Sequence, residues 1–386
     1  MLIAPEAFGA TLGATQAAQA MARGWADGAP HDVLDLQPLS DGGPGFLDVL
    51  APHVAGESIA LTVSDPLGRE VPAEMVLSEA HGTRTAYLET SQAIGLHLLA
   101  ADERDPALTS SWGVGQLISA AIAEGAQRVV LGLGGDAVND AGAGALSALG
   151  AGPAEDLARG GRALAQAHAA SLSGLSGVIE RLAGVELVIA TLHDGPLLGL
   201  QGTSAVDSPD KGASPETAQA LEAAVGHVVD LAQRMLPARI DLLTGTRRRL
   251  DRAPGAGAAG GLGWALMLLG AHRVDAVAEV LQLVAFADRL RAHDLVLTGT
   301  GCLDWAALRG SVVAGVAQQA LDLGVPSVAI SGECPVGRRE LMSIGLSGSY
   351  ALAESPDEVA AVVADPVGHL RARTARVART WSPGRP

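Results

Sequence analysis

A chain of 386 residues is long enough for two ordinary domains, each able to bury its own core. Apolar residues make up 48% of it and aromatics only 3%, so those cores must be built from Ala, Val, Leu and Ile rather than from rings. A formal charge of −16 excludes a polyanion as the main partner, because nucleic-acid binding draws on clustered cations.

The opening Met1-Leu2-Ile3-Ala4-Pro5 reads as a short buried strand and not as a signal peptide. Further strands are predicted at 33–37, 128–133, 186–190, 295–298 and 327–331. Helices are predicted at 15–25, 114–124, 141–149, 215–235, 258–269 and 312–323. Short apolar strands alternating with Ala-rich helices give an α/β fold with a mostly parallel sheet covered on both faces. Residues 58–89 alternate apolar and polar around a turn at Asp65-Pro66-Leu67-Gly68, which predicts an antiparallel hairpin. The Ala/Gly/Ser-rich stretch 152–177 lacks periodicity and reads as a surface excursion. Arg247-Arg248-Arg249, with Asp241 and Asp251 close by, reads as a solvated turn. From Pro366 an Arg-studded helix and a Pro/Gly tail end the chain. No apolar run reaches the length of a membrane span, and Cys302 and Cys334 lack metal-ligand spacing. A cytoplasmic protein without a membrane partner is the expectation.

Four glycine-containing loops stand out: Ser40-Asp41-Gly42-Gly43-Pro44-Gly45, the run from Gly132-Leu133-Gly134-Gly135 to Gly142, the run Pro254 to Gly261, and Thr298-Gly299-Thr300-Gly301. Open α/β sheets bind ligands where strands end in such loops, since backbone N–H groups there point outward. Glycine also serves plain turns, and one such loop alone is more often just that. Gly255, Gly257 and Gly260 fit G-x-G-x-x-G, yet no strand precedes them, which argues against a dinucleotide fingerprint. There is no phosphate-binding G-x-x-x-x-G-K-[ST] loop either.

Asp41, Asp140, Asp194 and Asp304 each stand near one of these loops or a strand end. Such carboxylates suit a magnesium–nucleotide or a general base for a substrate hydroxyl. Any one of them alone is better read as a helix cap. Four in one chain shift the balance towards a site. Lys211 is the one lysine among 26 cationic residues. Under a coding bias towards Arg, a surviving lysine is a candidate for work that needs a compact ammonium.

Taken together, the motifs resemble the type I glycerate kinases, in order, over about the first 350 residues. Ala4-Pro5-Glu6-Ala7-Phe8 resembles the family's A-P-D-S-F-K, and Asp41-Gly42-Gly43 its D-G-G-E-G. Gly134-Gly135-Asp136-Ala137-Val138-Asn139-Asp140 is similar to G-G-S-A-T-N-D. Pro209-Asp210-Lys211-Gly212-Ala213 looks like P-Q-K-G-A, and Pro254 to Gly261 matches P-G-A-G-A-A-G-G. The resemblance implies a two-domain α/β fold: a discontinuous Rossmann-like domain of 1–65 and 290–386, a second α/β domain at 66–289, and a site in the cleft between them. It implies transfer of the ATP γ-phosphoryl to glycerate, giving 2-phosphoglycerate, with Mg²⁺. Asp41, Asp140, Lys211 and Asp304 would then be catalytic, and Asp194 and Asp304 would hold metal. Gly42, Gly43, Gly134, Gly135, Asn139, Gly255, Gly257, Gly260, Gly299, Gly301 and Arg309 would bind ligands.

Several positions depart from the family pattern. Gly9 replaces a lysine, Pro44 a glutamate and Leu192 an aspartate, with Asp194 two residues on. Thr300, Cys302 and Ser311 replace a glutamate, an arginine and a lysine, and Arg309 is the replacement cation nearby. Losing one preorganised charge costs about a hundred- to a thousandfold in rate. The sequence therefore leaves two further readings open. One is a catalytically impaired homologue that binds a metabolite or nucleotide in a regulatory role, and the other is a kinase for a related hydroxy acid.

Overall fold

The computed structural model describes every residue except Ala10, Ala80, His81, Ala238, Arg239, 241–244, Arg247 and 383–386. Asp241 and Arg247 of the basic turn, and the Pro/Gly tail, lie outside the described residues. Arg249 of the same run pairs with Asp251 at 2.8 Å.

Along the chain come β1 (Leu2–Ile3), β2 (Asp35–Leu36), β3 (Gly56–Ser64), β4 (Glu70–Ser78), β5 (Thr85–Glu89) and β6 (Arg128–Gly132). They are followed by β7 (Glu186–Ala190), β8 (His272–Val274), β9 (Val296–Cys302), β10 (Ser327–Glu333) and β11 (Gly348–Ala351). They form two sheets, ordered β11-β10-β9-β1-β2 and β3-β4-β5-β6-β7-β8. The first is parallel throughout. The second is antiparallel across β3-β4-β5 and parallel from β5 to β8. Correspondingly the chain divides into two compact units. One holds Met1–Asp41, Asp48–His53 and Ala276–Pro386; the other holds Gly42–Leu47 and Val54–Asp275.

In the first unit the N-terminal strand pairs with β9, its Leu2 opposite Val296. Its helix Ala14–Gly28 packs on Pro366–Trp381 through small residues on one face. A Cβ on Gly24 would stand 2.3 Å from the Arg371 carbonyl oxygen, and one on Gly28 2.4 Å from that of Ala375. Glycine at this spacing is what lets the two backbones approach. Thr298 to Gly301, read from sequence as a loop closing a strand, continues instead as strand to Cys302 in register with β10. Gly299 permits this, since a Cβ there would meet the Ile330 carbonyl oxygen at 2.5 Å.

The second unit has one large aliphatic core, with Leu88, Leu117, Ile118, Leu131, Ile189 and Trp264 almost fully buried. The expected hairpin is present as β3 and β4, turning at Asp65 to Gly68. Ser214 caps the long helix Pro215–Met235, accepting from the Thr217 N–H at 3.1 Å. Its buried stripe runs Leu221, Ala224, Val225, Val228, Val229, Ala232 at helical spacing. The stretch 152–177 is not a surface excursion. Leu157, Leu164, Leu172 and Leu175 enter the core from short turns and helices. Turns of four to six residues impose no single period, so the pattern was invisible as such. No helix among the described residues is long and apolar enough to cross a membrane.

Candidate active site

The carboxyl ends of parallel strands share one edge, so β5, β6 and β7 deliver their following loops to the same side of the second unit. Glu89, the last residue of β5, is 6% exposed. Its carboxylate accepts from the N–H groups of Gly45 and Leu47, both at 3.1 Å, and from the Ser91 hydroxyl at 2.5 Å. It therefore pins the loop Gly42–Leu47 against the end of the sheet. Glycines then let that loop lie on the one after β6. A Cβ on Gly132 would stand 2.6 Å from the Gly42 carbonyl oxygen, and one on Gly134 3.0 Å from the Gly43 Cα. Gly135, at φ +66°, sits under the Pro44 ring. The result is a ledge of stacked glycine backbone in which Gly42 and Gly43 are buried while Gly134 and Gly135 reach the surface, at the kind of strand end where backbone N–H groups hold phosphate or carboxylate oxygens.

Beyond Gly135 the chain is held by charge. The Lys211 ammonium pairs with the Asp136 carboxylate and donates to the Val138 carbonyl at 2.9 Å. Lys211 is 6% exposed and ends the short helix Pro209–Lys211. The compact ammonium that made Lys211 a candidate from sequence is thus engaged by Asp136 and the Val138 carbonyl. Asn139 is fully buried and donates to the hydroxyls of Ser204 at 3.1 Å and Ser208 at 2.6 Å. Asp140 is equally buried. Its carboxylate accepts from the Ser111 N–H and hydroxyl, and from the N–H groups of Gly142 and Gly144, at 2.8 to 3.1 Å. Burial pushes this carboxyl up while the four donors hold it down. Such a group fastens a loop, as a cap does, with three of its donors on Oδ2 and one on Oδ1.

The loop 254–261 closes over the same segment. Gly260, at φ +64°, lies so close to the Val138 carbonyl oxygen that a Cβ would stand 1.9 Å from it. Gly257 donates to the Gly195 carbonyl at 3.1 Å, and a Cβ on it would meet His193 Nε2 at 3.0 Å. Gly255 faces the Arg273 side chain. Asp194 is exposed next to His193.

In the first unit the edge formed by β10, β9, β1 and β2 carries carboxylates. Glu6 follows β1, Asp41 follows β2, and Asp304 follows β9. Glu6 accepts from the Thr300 hydroxyl and from the N–H of Val312, the first residue of the helix Val312–Leu323. Burial, then the charge of Asp41, push the Glu6 carboxyl up to about 8 in spite of those two donors. Asp304 takes the Ala307 N–H at 2.8 Å, and Arg309 is exposed at the end of that turn. Ser311 caps the helix by accepting from the Ala314 N–H at 3.2 Å. Gly301 lies against Gly9, 2.8 Å from a Cβ to its nitrogen. Cys302 is pushed up by burial and by Asp304 and Glu333.

Sequence reading singled out neither Glu6 nor Glu89 nor Asp136. Glu6 and Asp136 stand at polar positions of motifs already quoted, which was the available signal. Residues 1–382 match the sequence profile described as the Glycerate kinase family. The chain is 35% identical over 357 residues to a glycerate kinase of Bacillus subtilis, covering 91% of this chain and 90% of that one. It is 33% identical over 337 residues to a glycerate 2-kinase of Escherichia coli, covering 86% and 84%. A crystal structure from Salmonella typhimurium LT2, provisionally named glycerate kinase 2, superposes with a TM-score of 0.71 at 31% identity, covering 98% of this chain and 97% of that one.

Proposed function

Because the chain belongs to the glycerate kinase family, we propose that it transfers the γ-phosphoryl group of ATP to the 2-hydroxyl of glycerate, giving 2-phosphoglycerate and ADP. In that step the acceptor oxygen forms a bond to phosphorus, the bond to the β-phosphate oxygen breaks, and the hydroxyl proton must leave. The observation that supports this reading is Glu6, whose carboxyl is pushed up to about 8 at the carboxyl-end edge of a parallel sheet. A base titrating near the working pH is the efficient one for such a proton. Thr300 and the Val312 N–H orient the carboxyl, and Asp41 keeps it basic.

Glu6 has no cationic partner among the described residues, and hard oxygen donors at Asp41 and Asp304 share its edge. That donor set fits magnesium, and Asp41 and Asp304 are the residues that would hold it. When bound, magnesium neutralises the phosphate charge that develops during transfer. No group of three or more His, Cys, Asp or Glu side chains among the described residues could cage a metal. Magnesium would therefore complete its shell with water and phosphate oxygens, its usual habit. Asp194 is exposed in the second unit and is left out of this assignment.

We assign the backbone N–H groups of Gly134 and Gly135 to ligand binding, with Gly42 and Gly43 giving the close approach that shapes this ledge. Asp140, Asn139 and Lys211 act on the ledge rather than on substrate: they hold the loop 134–144 in shape. The test of this reading is ATP-dependent turnover of glycerate by the parent protein and by Glu6→Gln. The parent should turn over, and the variant should lose at least about a hundredfold in kcat. Equal kcat values would remove Glu6 as the base.

A further inference from the structure

Most arginines of this acidic chain are accounted for by a carboxylate or by full exposure to water. Among the described residues, Arg104 and Arg273 are the two that are partly buried yet have no carboxylate within ion-pair distance. Arg273 lies in β8 at the end of the second sheet. Its guanidinium donates through Nη2 to the Leu192 carbonyl at 3.3 Å, and its Nε is buried without a partner. The aliphatic stem lies along Gly255, where a Cβ would meet Arg273 Cδ at 2.6 Å and Nε at 3.2 Å. Gly255 therefore makes room for the arginine, and its φ of +83° sets the loop that does so.

His193 completes the corner. Its Nε2 is buried without a hydrogen bond, 4.0 Å from the Asp207 carboxylate, which itself accepts from the Thr203 hydroxyl at 3.0 Å. Gly195 and Gly257 face the His193 ring, with Cβ positions 2.7 and 3.0 Å from Nε2. Arg273 of β8 thus reaches the backbone of Leu192, next to His193 just after β7, in a corner walled by Gly195, Gly255 and Gly257. Arg273 is half-buried, and leaving its buried Nε without a partner or a nearby counter-charge is costly; an arriving anion offsets that cost.

We infer that Arg273, positioned by Gly255 and flanked by His193, is an anion-recognition residue that takes either the carboxylate of the acceptor or a phosphate of the nucleotide. The inference rests on the kinase reading for the identity of its ligands, while the corner itself does not. The planar guanidinium matches both anions with two parallel hydrogen bonds, which a lysine could not reproduce.

Arg273→Met tests it, because methionine keeps the stem against Gly255 and strands no carboxylate. Steady-state kinetics would be measured with glycerate varied at fixed ATP and with ATP varied at fixed glycerate, on the parent, Arg273→Met and Arg273→Lys. A rise of at least tenfold in KM for glycerate alone assigns the carboxylate, and the same rise for ATP alone assigns the phosphate. Arg273→Lys should recover part of either loss. KM values within twofold of the parent for both substrates would overturn the inference. So would an equal rise in both accompanied by a fall in Tm, which marks a packing role. Should the parent show no turnover, the kinase reading fails instead, and calorimetric titration of ATP and of glycerate into the same three proteins reads the corner. Weakened binding of one of them to Arg273→Met supports the inference there, and unchanged binding of both overturns it.

Discussion

The Lys211 ammonium meets the Asp136 carboxylate across 75 residues of sequence, and each is largely shielded from water by the loop they hold. The pair joins the short helix Pro209–Lys211 to the loop after β6, and the Val138 carbonyl takes a second N–H of the same ammonium. Removing one partner of a buried ion pair leaves a charge uncompensated and costs about 3–5 kcal/mol. Lys211→Met should therefore lower stability by about 3 kcal/mol, read by urea or thermal denaturation. Adding Asp136→Ser should return most of it, because no charge is then stranded. An unchanged midpoint for Lys211→Met would show that the ammonium is not engaged in this way.

Asp140 provides a second stability test. Four donors converge on its carboxylate, and an amide in its place turns one acceptor oxygen into an NH₂ group that faces N–H groups. Stranding buried donors costs about 1–3 kcal/mol each. Asp140→Asn should lose at least about 2 kcal/mol of stability, with turnover falling in step with the folded fraction. Turnover abolished at full stability would instead mark Asp140 as a catalytic group.

Glu6 makes stability depend on pH in a definite direction. Its carboxyl titrates near 4.5 in the unfolded chain and near 8 in the folded one, so the folded state binds more protons between those values. Its contribution is fully present below about 4.5 and is lost as pH rises through about 8. Glu6→Gln removes the titration without changing the shape. The Tm of the variant relative to the parent should climb between about pH 4.5 and 8 and level off above. Parallel Tm–pH curves would show that Glu6 titrates as an ordinary carboxylate.

These particulars show how far the chain could be read in advance. The alternation of short strands with Ala-rich helices, the hairpin at Asp65 and three of the four glycine loops are local signals that appear in the fold; the fourth, Thr298 to Gly301, is strand. The glycines also revealed that backbones must come close, but not which ones: Gly132 meets Gly42 and Gly260 meets Val138 only through the tertiary fold. Charge was less legible. Lys211 drew attention by its rarity, yet its partner Asp136 sits where no spacing rule would pair them. Glu6 owes its elevated carboxyl to burial and to the charge of Asp41, against the pull of Thr300 and Val312, and these residues are scattered along the chain. The stretch 152–177 hid its buried leucines because short turns carry no period.

The most direct measurement is ADP release, coupled to NADH oxidation, from the purified chain with ATP and Mg²⁺ in the presence and absence of glycerate, beside a panel of small hydroxy acids. The account predicts ADP release that depends on glycerate, with 2-phosphoglycerate identified by phosphorus NMR as the product, and loss of both in Glu6→Gln. ADP release no faster than the ATP-only background for glycerate and for every hydroxy acid tested, from a protein that is folded and binds nucleotide, would contradict it.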